Sequence, residues 1–182
     1  MVSVNVAQLL QEAPGAVREF DFSDRVAAVA DELQLRGPIR GHARLMRTNE
    51  GILVHSDHVA PVVLECARCL DDVKLEVRGR FDEEFLPSID LRTGVPVDVP
   101  GEDEQLRIDE HHEIDLDELL RQNILTNLPL QPLCEAACPG LCESCGQRLD
   151  STHRGHGEDE APIDPASPFA QLATLLKNEE ES

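Results

Sequence analysis

Tryptophan and tyrosine are absent from this 182-residue chain, and phenylalanine occurs only five times. Proteins that bind single-stranded nucleic acid by base stacking need aromatic side chains on their surface, so a stacking platform is excluded. Positive charge is also scarce, because 16 Lys and Arg face 36 Asp and Glu and leave a net charge of −20. A surface of this sign repels phosphate and favours basic proteins as partners.

Long apolar runs are missing as well. No segment approaches the roughly 18 apolar residues of a membrane span, and the opening residues MVSVNV lack the regions of a secretory signal. We therefore expect a cytoplasmic protein without membrane contact. In that reducing compartment the six cysteines are better explained as metal ligands or redox groups than as disulfides.

The first half of the chain alternates apolar and polar residues, which is typical of half-buried β-strands. This pattern predicts a strand over Val17–Phe22 and a hairpin whose turn is Thr48–Gly51. Between these strands, Ser23 is the predicted N-cap of a short helix that reaches Leu33.

Two predicted strands flank the first cysteine pair. Val59–Cys66 is almost continuously apolar, and Pro61 within it predicts a sheet edge or a bulge. Val73–Phe85 alternates between apolar and charged residues. Cys66 and Cys69 therefore lie at a predicted hairpin tip, where side chains can converge on a ligand.

The second half contains a predicted loop and two predicted helices. Residues 87–104 hold Pro, Gly and acids without periodicity and predict a flexible loop. Asp115 and Glu118 form a capping-box pattern ahead of leucines at helical spacing, which predicts a helix that ends before Pro129. A closing helix is expected from Ser167.

These elements predict an α+β fold. We expect a twisted antiparallel β-sheet of hairpins covered by an amphipathic helix, with a Cys-rich C-terminal segment of zinc-knuckle type and a short closing helix. The predicted divisions are a main domain over residues 1–130, a Cys/His-rich segment over 131–160, and a C-terminal helix with an acidic tail over 161–182.

Cysteine spacing is the strongest chemical signal. Cys142 and Cys145 have the CxxC spacing followed by glycine that zinc ribbons use, and His153 and His156 complete a tetrahedral set for a structural zinc ion. A closed site with four protein ligands stabilises the fold and leaves no position for a substrate. Four further cysteines compete for the same positions: Cys66, Cys69, Cys134 and Cys138.

A thiol-redox role is the alternative for the first pair, since Arg68 between Cys66 and Cys69 can lower a thiol pKa. The strand-to-helix unit that usually carries such a motif is not predicted there. The sequence also lacks a phosphate-binding loop, a nucleophile elbow and a helical zinc-protease motif. We therefore expect a protein that is not an enzyme and has no small-molecule substrate.

Charge is distributed unevenly along the chain. Arg40, His42 and Arg44 share one face of a predicted strand and are candidates for contact with RNA phosphate. Residues 102–118 contain nine acids and one base, and this run is a candidate contact for a basic partner. Its proposed contact residues are Glu102, Asp103, Glu104, Asp109 and Glu110. A solvated outer face without a partner is the alternative for both groups.

Several motifs in a fixed order carry a resemblance to a known family. They are LECARCL at Leu64–Leu70, IDL at Ile114–Leu116, NLPL at Asn127–Leu130, GLCESCG at Gly140–Gly146, DP at Asp164–Pro165 and FAQL at Phe169–Leu172. Over roughly residues 16–176 the chain thereby resembles the YceD-like family of large ribosomal RNA subunit accumulation proteins.

The resemblance implies a bacterial protein that supports accumulation or maturation of large-subunit (23S) ribosomal RNA, without catalytic residues. Many members of the family place further cysteines where this sequence has His153 and His156, which keeps a donor set suited to zinc. Together with the charge of −20, the resemblance favours a ribosome-assembly factor. Its expected partner is a basic ribosomal protein or a precursor of the large subunit, with only weak direct contact to RNA. The alternative is a zinc-handling or thiol-redox switch protein.

Overall fold

The computed structural model describes residues 1–31, 33–90, 93, 95–96 and 106–155, with the side chain of Ala28 left out. The chain divides into two units between Ala136 and Ala137. All helices and strands named below lie in the first unit. In chain order they are β1 (Ser3–Asn5), α1 (Ala7–Leu10), β2 (Val17–Asp24), α2 (Ala27–Ala30), β3 (Gln34–Leu35), β4 (Ile39–Arg47), β5 (Ile52–Glu65), β6 (Asp72–Pro87), β7 (Arg107–Ile108), β8 (Glu113–Asp115) and α3 (Asp117–Thr126).

Strands β2 to β7 form one six-stranded sheet. The order is β2, β4, β5, β6, β7, with β3 beside β5. All pairs in this sheet are antiparallel except β6 with β7. Strands β1 and β8 pair antiparallel in a second, two-stranded sheet. Sheets and helices thus occur together in the α+β arrangement that the sequence predicts.

The longest hairpin positions the first cysteine pair. Strands β5 and β6 pair in continuous register from Ile52 with Phe85 to Glu65 with Asp72. In β6 every charged residue except Glu83 is exposed, and the buried residues on the other face are Val77, Phe81 and Phe85. The alternation predicted for this strand is therefore present, and the hairpin carries Cys66 and Cys69 beyond its last paired residues.

Pro61 lies inside a central strand, where the pairing on one side is interrupted as at the bulge that the sequence predicts. It pairs in regular register with Glu76 of β6. On its other side, β5 pairs with β4 as far as Val59 and with β3 from Val62. The missing proline amide falls between these two neighbours, so no ladder hydrogen bond is lost. The Pro61 carbonyl accepts a hydrogen bond from the amide of Arg36 (2.9 Å).

Helix α3 is the helix predicted before Pro129, but its first turn is capped differently. The Asp115 carboxylate accepts a hydrogen bond from the amide of Asp117 (2.9 Å). Glu118 does not complete a capping box, because its carboxylate accepts hydrogen bonds from the Arg121 guanidinium (2.6 and 2.8 Å). The buried residues of the helix are Leu120 and Ile124.

The other predicted helices have different outcomes. The one expected after Ser23 is reduced to the four residues of α2, because Ser23 pairs with Arg40 as part of β2. The closing helix from Ser167 and most of the predicted loop over 87–104 lie outside the described residues. None of the helices within the described ranges has the length and apolar character that crossing a membrane requires.

Candidate metal sites

Three cysteines of the first unit converge at the end of the β5–β6 hairpin. The Sγ atoms of Cys66, Cys69 and Cys134 all lie within 4.8 Å of one another. The Sγ atoms of Cys69 and Cys134 are 3.6 Å apart. Cys66 and Cys69 are buried and Cys134 is exposed, and none of the three forms a disulfide. We call these residues the hairpin cysteine group.

The hairpin turn is closed by its own backbone. The Leu70 amide donates to the Cys66 carbonyl (3.0 Å), and the Cys66 amide donates to the Asp71 carbonyl (2.8 Å). Leu70 has a left-handed φ of 63°, a conformation that costs a residue with a Cβ roughly 1–2 kcal/mol. With Leu70 in this strained conformation, the turn brings Cys66 and Cys69 to one side.

Backbone amides are directed at the sulfur of Cys66. The amides of Arg68, Cys69 and Cys134 hydrogen-bond to this sulfur, the last at 3.4 Å. These bonds stabilise the negative charge of a thiolate and lower the pKa of Cys66 to about 6, although burial opposes the shift. The thiolate is the form that binds metal ions.

The segment after α3 supplies the third sulfur. The Ala67 amide, within the hairpin turn, donates to the Pro132 carbonyl (2.8 Å). This bond fixes the chain two residues before Cys134, and the amide of Cys134 itself donates to the Cys66 sulfur. Backbone hydrogen bonds therefore position the third sulfur. The group is thus assembled from two segments far apart in sequence.

A second group lies in the second unit. Ligand atoms of Cys142, Cys145 and His153 lie within 4.8 Å of one another. The Cys145 Sγ is 3.3 Å from Nε2 of His153. Cys142 is buried and Cys145 is exposed. We call these residues the knuckle group.

The turn of the knuckle group repeats the backbone pattern of the hairpin turn. The Gly146 amide donates to the Cys142 carbonyl (2.8 Å), and the Cys142 amide donates to the Gln147 carbonyl (2.7 Å). Gly146 has a φ of 70°, which glycine adopts without strain. Two CxxC turns of the same form therefore occur in the chain, one closed by leucine and one by glycine.

A short loop orients the histidine of the knuckle group. The Asp150 carboxylate accepts hydrogen bonds from the Thr152 hydroxyl (2.6 Å) and from the amides of Thr152 (2.7 Å) and His153 (2.9 Å). These bonds, the hydroxyl first, lower the pKa of Asp150. The loop therefore presents an imidazole beside two thiols, a donor set that suits zinc.

The eight ligands proposed from sequence are distributed over more than one place. Cys66, Cys69 and Cys134 form one group, whereas Cys142, Cys145 and His153 form another. The two remaining residues are Cys138, which is buried in the second unit, and His156, which lies outside the described residues. The Cys-rich groups are able to hold metal ions.

The basic face predicted on β4 is partly neutralised by its neighbour. Arg40, His42 and Arg44 are all exposed. His42 Nδ1 lies 2.9 Å from an Asp21 carboxylate oxygen, and Arg44 Nε lies 4.0 Å from a Glu19 carboxylate oxygen. Acids of β2 thus accompany two of the three basic residues and weaken their attraction for phosphate.

The described part of the acidic run has a structural role at one position. The Asp109 carboxylate accepts hydrogen bonds from the amides of His111 (2.8 Å) and Glu113 (2.7 Å), and so shapes the turn between β7 and β8. Glu110 is exposed in the same turn. The other predicted contact residues, Glu102, Asp103 and Glu104, lie outside the described residues.

A histidine lies inside the sheet where the sequence contains no signal for it. His58 is only 2% exposed, and neither ring nitrogen has a hydrogen-bond partner among the described residues. Burial lowers the pKa of His58, with a smaller opposing effect of Asp57. Gly41 and Gly79 are its partners on the neighbouring strands, and they leave room that no local pattern reveals.

The fold and the two cysteine-containing groups define an α+β protein whose side-chain groups could hold metal ions. The chain belongs to the YceD family, because the family model described as large ribosomal RNA subunit accumulation protein YceD matches residues 54–176. The resemblance carried by the sequence motifs is thereby confirmed.

Relatives extend the similarity over the whole chain. An uncharacterized protein of Mycobacterium tuberculosis is 34% identical over 187 residues, which covers 100% of this chain and 84% of the relative. An uncharacterized protein of Mycobacterium bovis gives the same values. One of Mycobacterium leprae is 32% identical over 140 residues, covering 76% of this chain and 59% of the relative. No solved structure matches the chain.

Proposed function

We propose that this protein is a non-enzymatic cytoplasmic factor for accumulation and maturation of large-subunit ribosomal RNA. It acts during ribosome assembly by binding a basic ribosomal protein or an assembly intermediate. Membership in a family described by large ribosomal RNA subunit accumulation carries this proposal.

The charge of the molecule supports a protein partner over bare RNA. A net charge of −20 repels ribosomal RNA at long range but attracts a ribosomal protein rich in Lys and Arg. The acids beside His42 and Arg44 also weaken the attraction for phosphate on the face proposed for RNA contact. Direct RNA contact by Arg40, His42 and Arg44 is therefore the weaker part of the interaction.

We further propose a structural zinc ion bound by Cys142, Cys145, His153 and His156. The first three place their ligand atoms together, and the spacing of His156 in the sequence supports it as the fourth ligand. Such an ion supplies no catalytic chemistry when all four ligands come from the protein.

The cellular test is depletion of the protein, followed by the ratio of large-subunit to small-subunit ribosomal RNA, in mature and precursor forms. We expect a selective loss of mature large-subunit RNA that a plasmid copy of the gene restores. An unchanged ratio in depleted cells under several growth conditions would contradict the ribosomal role. The zinc-handling or thiol-switch alternative would then be the better hypothesis.

The partner is tested with two variants of equal charge change. Replacing Glu102, Asp103 and Glu104 by their amides removes three negative charges, and the control replaces Glu179, Glu180 and Glu181 by Gln. We expect the first variant alone to bind basic large-subunit proteins more weakly in a pull-down from ribosomal extracts. Equal losses in both variants would argue against a local contact. Tight binding of the wild type to protein-free large-subunit RNA, with a steep salt dependence, would contradict a protein partner.

A further inference from the structure

The hairpin cysteine group has the dimensions of a thiolate metal site. In a tetrahedral zinc site with Zn–S bonds of about 2.3 Å, the sulfur atoms are separated by about 3.8 Å. The Cys69 and Cys134 sulfurs are 3.6 Å apart, and all three sulfurs lie within 4.8 Å of one another. A disulfide needs a separation of about 2 Å, and none of the three cysteines forms one. The spacing therefore fits ligands around an ion and not a bonded pair.

The backbone around these sulfurs provides the second observation. Hydrogen bonds from amides to a metal-bound thiolate orient the ligand and stabilise its charge. Cys66 receives three such bonds, one of them from Cys134 itself. The hairpin turn also repeats the hydrogen bonds and the left-handed fifth residue of the knuckle turn, at Leu70 and Gly146 respectively. Two turns of one form, each with a further ligand beside it, indicate that both bind a metal ion.

We propose that Cys66, Cys69 and Cys134 bind a second zinc ion, separate from the one at Cys142 and Cys145. All three cysteines belong to the first unit. The hairpin cysteine group and the knuckle group thus serve two ions instead of competing for one. This inference does not depend on the ribosomal role, since it concerns the composition of the purified protein.

The second ion has a structural consequence. It joins the tip of the β5–β6 hairpin to the segment that follows α3, where one backbone hydrogen bond already links Ala67 to Pro132. Strand and helix elements that are far apart in sequence are thereby tied together by metal–sulfur bonds. Metal binding of this kind stabilises the first unit.

Metal content of the full-length protein tests the proposal. We expect two zinc ions per chain by elemental mass spectrometry, one in Cys69→Ser, one in Cys145→Ser and none in the double variant. Arg68→Ala, within the same turn but without a ligand atom for zinc, is the matched control and should retain two. One ion per chain in the wild type, retained in Cys69→Ser, would overturn the second site.

Alkylation of the wild-type protein tests the site without any substitution that threatens folding. Cys134 is exposed, so without a bound ion it should react readily. We expect zinc to protect Cys134 together with Cys66 and Cys69, and a chelator to remove this protection, as mapped by peptide mass spectrometry. Equal labelling of Cys134 before and after chelation would overturn the proposal.

Discussion

At the scale of single residues, Leu70 carries the backbone strain of the hairpin turn. Its side chain is 60% exposed, so it gains little from packing, and its φ of 63° lies in the left-handed region. Glycine removes a cost of roughly 1–2 kcal/mol but adds about 0.5–1 kcal/mol of entropy to the unfolded chain. We expect Leu70→Gly to raise the free energy of unfolding by up to about 1 kcal/mol, measured by urea denaturation.

The control for this prediction lies in the same turn. Ala67 has no left-handed φ, so Ala67→Gly carries only the entropy cost and should lower stability. If both glycine variants lost stability to the same extent, strain at Leu70 would not be a feature of the turn.

Two histidines of β5 give opposite dependences of stability on pH. Burial lowers the pKa of His58 from its ordinary value of 6.5. The side chain therefore stays neutral in the folded protein when the pH falls below 6.5. The unfolded chain then binds more protons, so stability falls as the pH drops through this range. We expect His58→Leu to flatten the decline in urea midpoints between about pH 8 and 5.

His55 serves as the opposite case. Its hydrogen bond with Asp82 raises the pKa of His55, so its contribution is present below pH 6.5 and is lost as the pH rises through the folded value. His55→Gln should therefore steepen the decline toward acid that His58→Leu flattens. Slopes that change in the same direction would contradict these assignments.

At the scale of elements, Gly79 sets the contact between β6 and α3. A Cβ at this position would collide with the Asn123 side chain and lie 2.7 Å from Nε2 of His58. Asn123 cannot move freely, because its amide donates to the Arg80 carbonyl (3.0 Å). We expect Gly79→Ala to lower the free energy of unfolding by about 1–3 kcal/mol, as overpacking does. Gly37→Ala is the control, since among the described residues its Cβ would meet Pro61 alone, at 3.6 Å.

Elements also show how far sequence reasoning reaches. The alternation of β6 and the leucine spacing of α3 are local patterns, so the sequence predicts both elements. The surroundings of Pro61 depend on where β3 ends and β4 begins beside β5. A short window of sequence around Pro61 does not contain this information. Ser23 likewise has the residue type of a helix cap, but pairing of β2 with β4 overrides that preference.

The candidate sites divide in the same way. CxxC spacing marks Cys142 and Cys145 from the sequence alone, because both ligands lie in one turn. Cys134 joins Cys69 across 65 positions of the chain, and only the path of the backbone after α3 brings them together. The division of six of the eight candidate ligands into two groups is therefore beyond the reach of spacing rules.

At the scale of the whole molecule, the two units differ in the interactions that can stabilise each of them. The buried hydrophobic cluster consists entirely of residues between Val2 and Ile124 in the first unit. In residues 137–155, the described part of the second unit, the buried side chains are those of Cys138 and Cys142. Apolar burial of this size is far too small to offset the loss of chain entropy, and the proposed zinc ion would stabilise this part of the fold.

Removal of metal should therefore affect the two units unequally. We expect a strong chelator to abolish amide protection in residues 140–155, measured by hydrogen exchange, because the CxxC turn and the Asp150 loop then lose their common centre. Amides of β4, β5 and β6 should stay protected, since their ladder and hydrophobic core need no ion, although the tip at Cys66–Asp71 should open. Readdition of zinc should restore protection, whereas magnesium, which prefers oxygen ligands, should not. Unchanged exchange in residues 140–155 after complete removal of zinc would show that this segment is held by something other than metal.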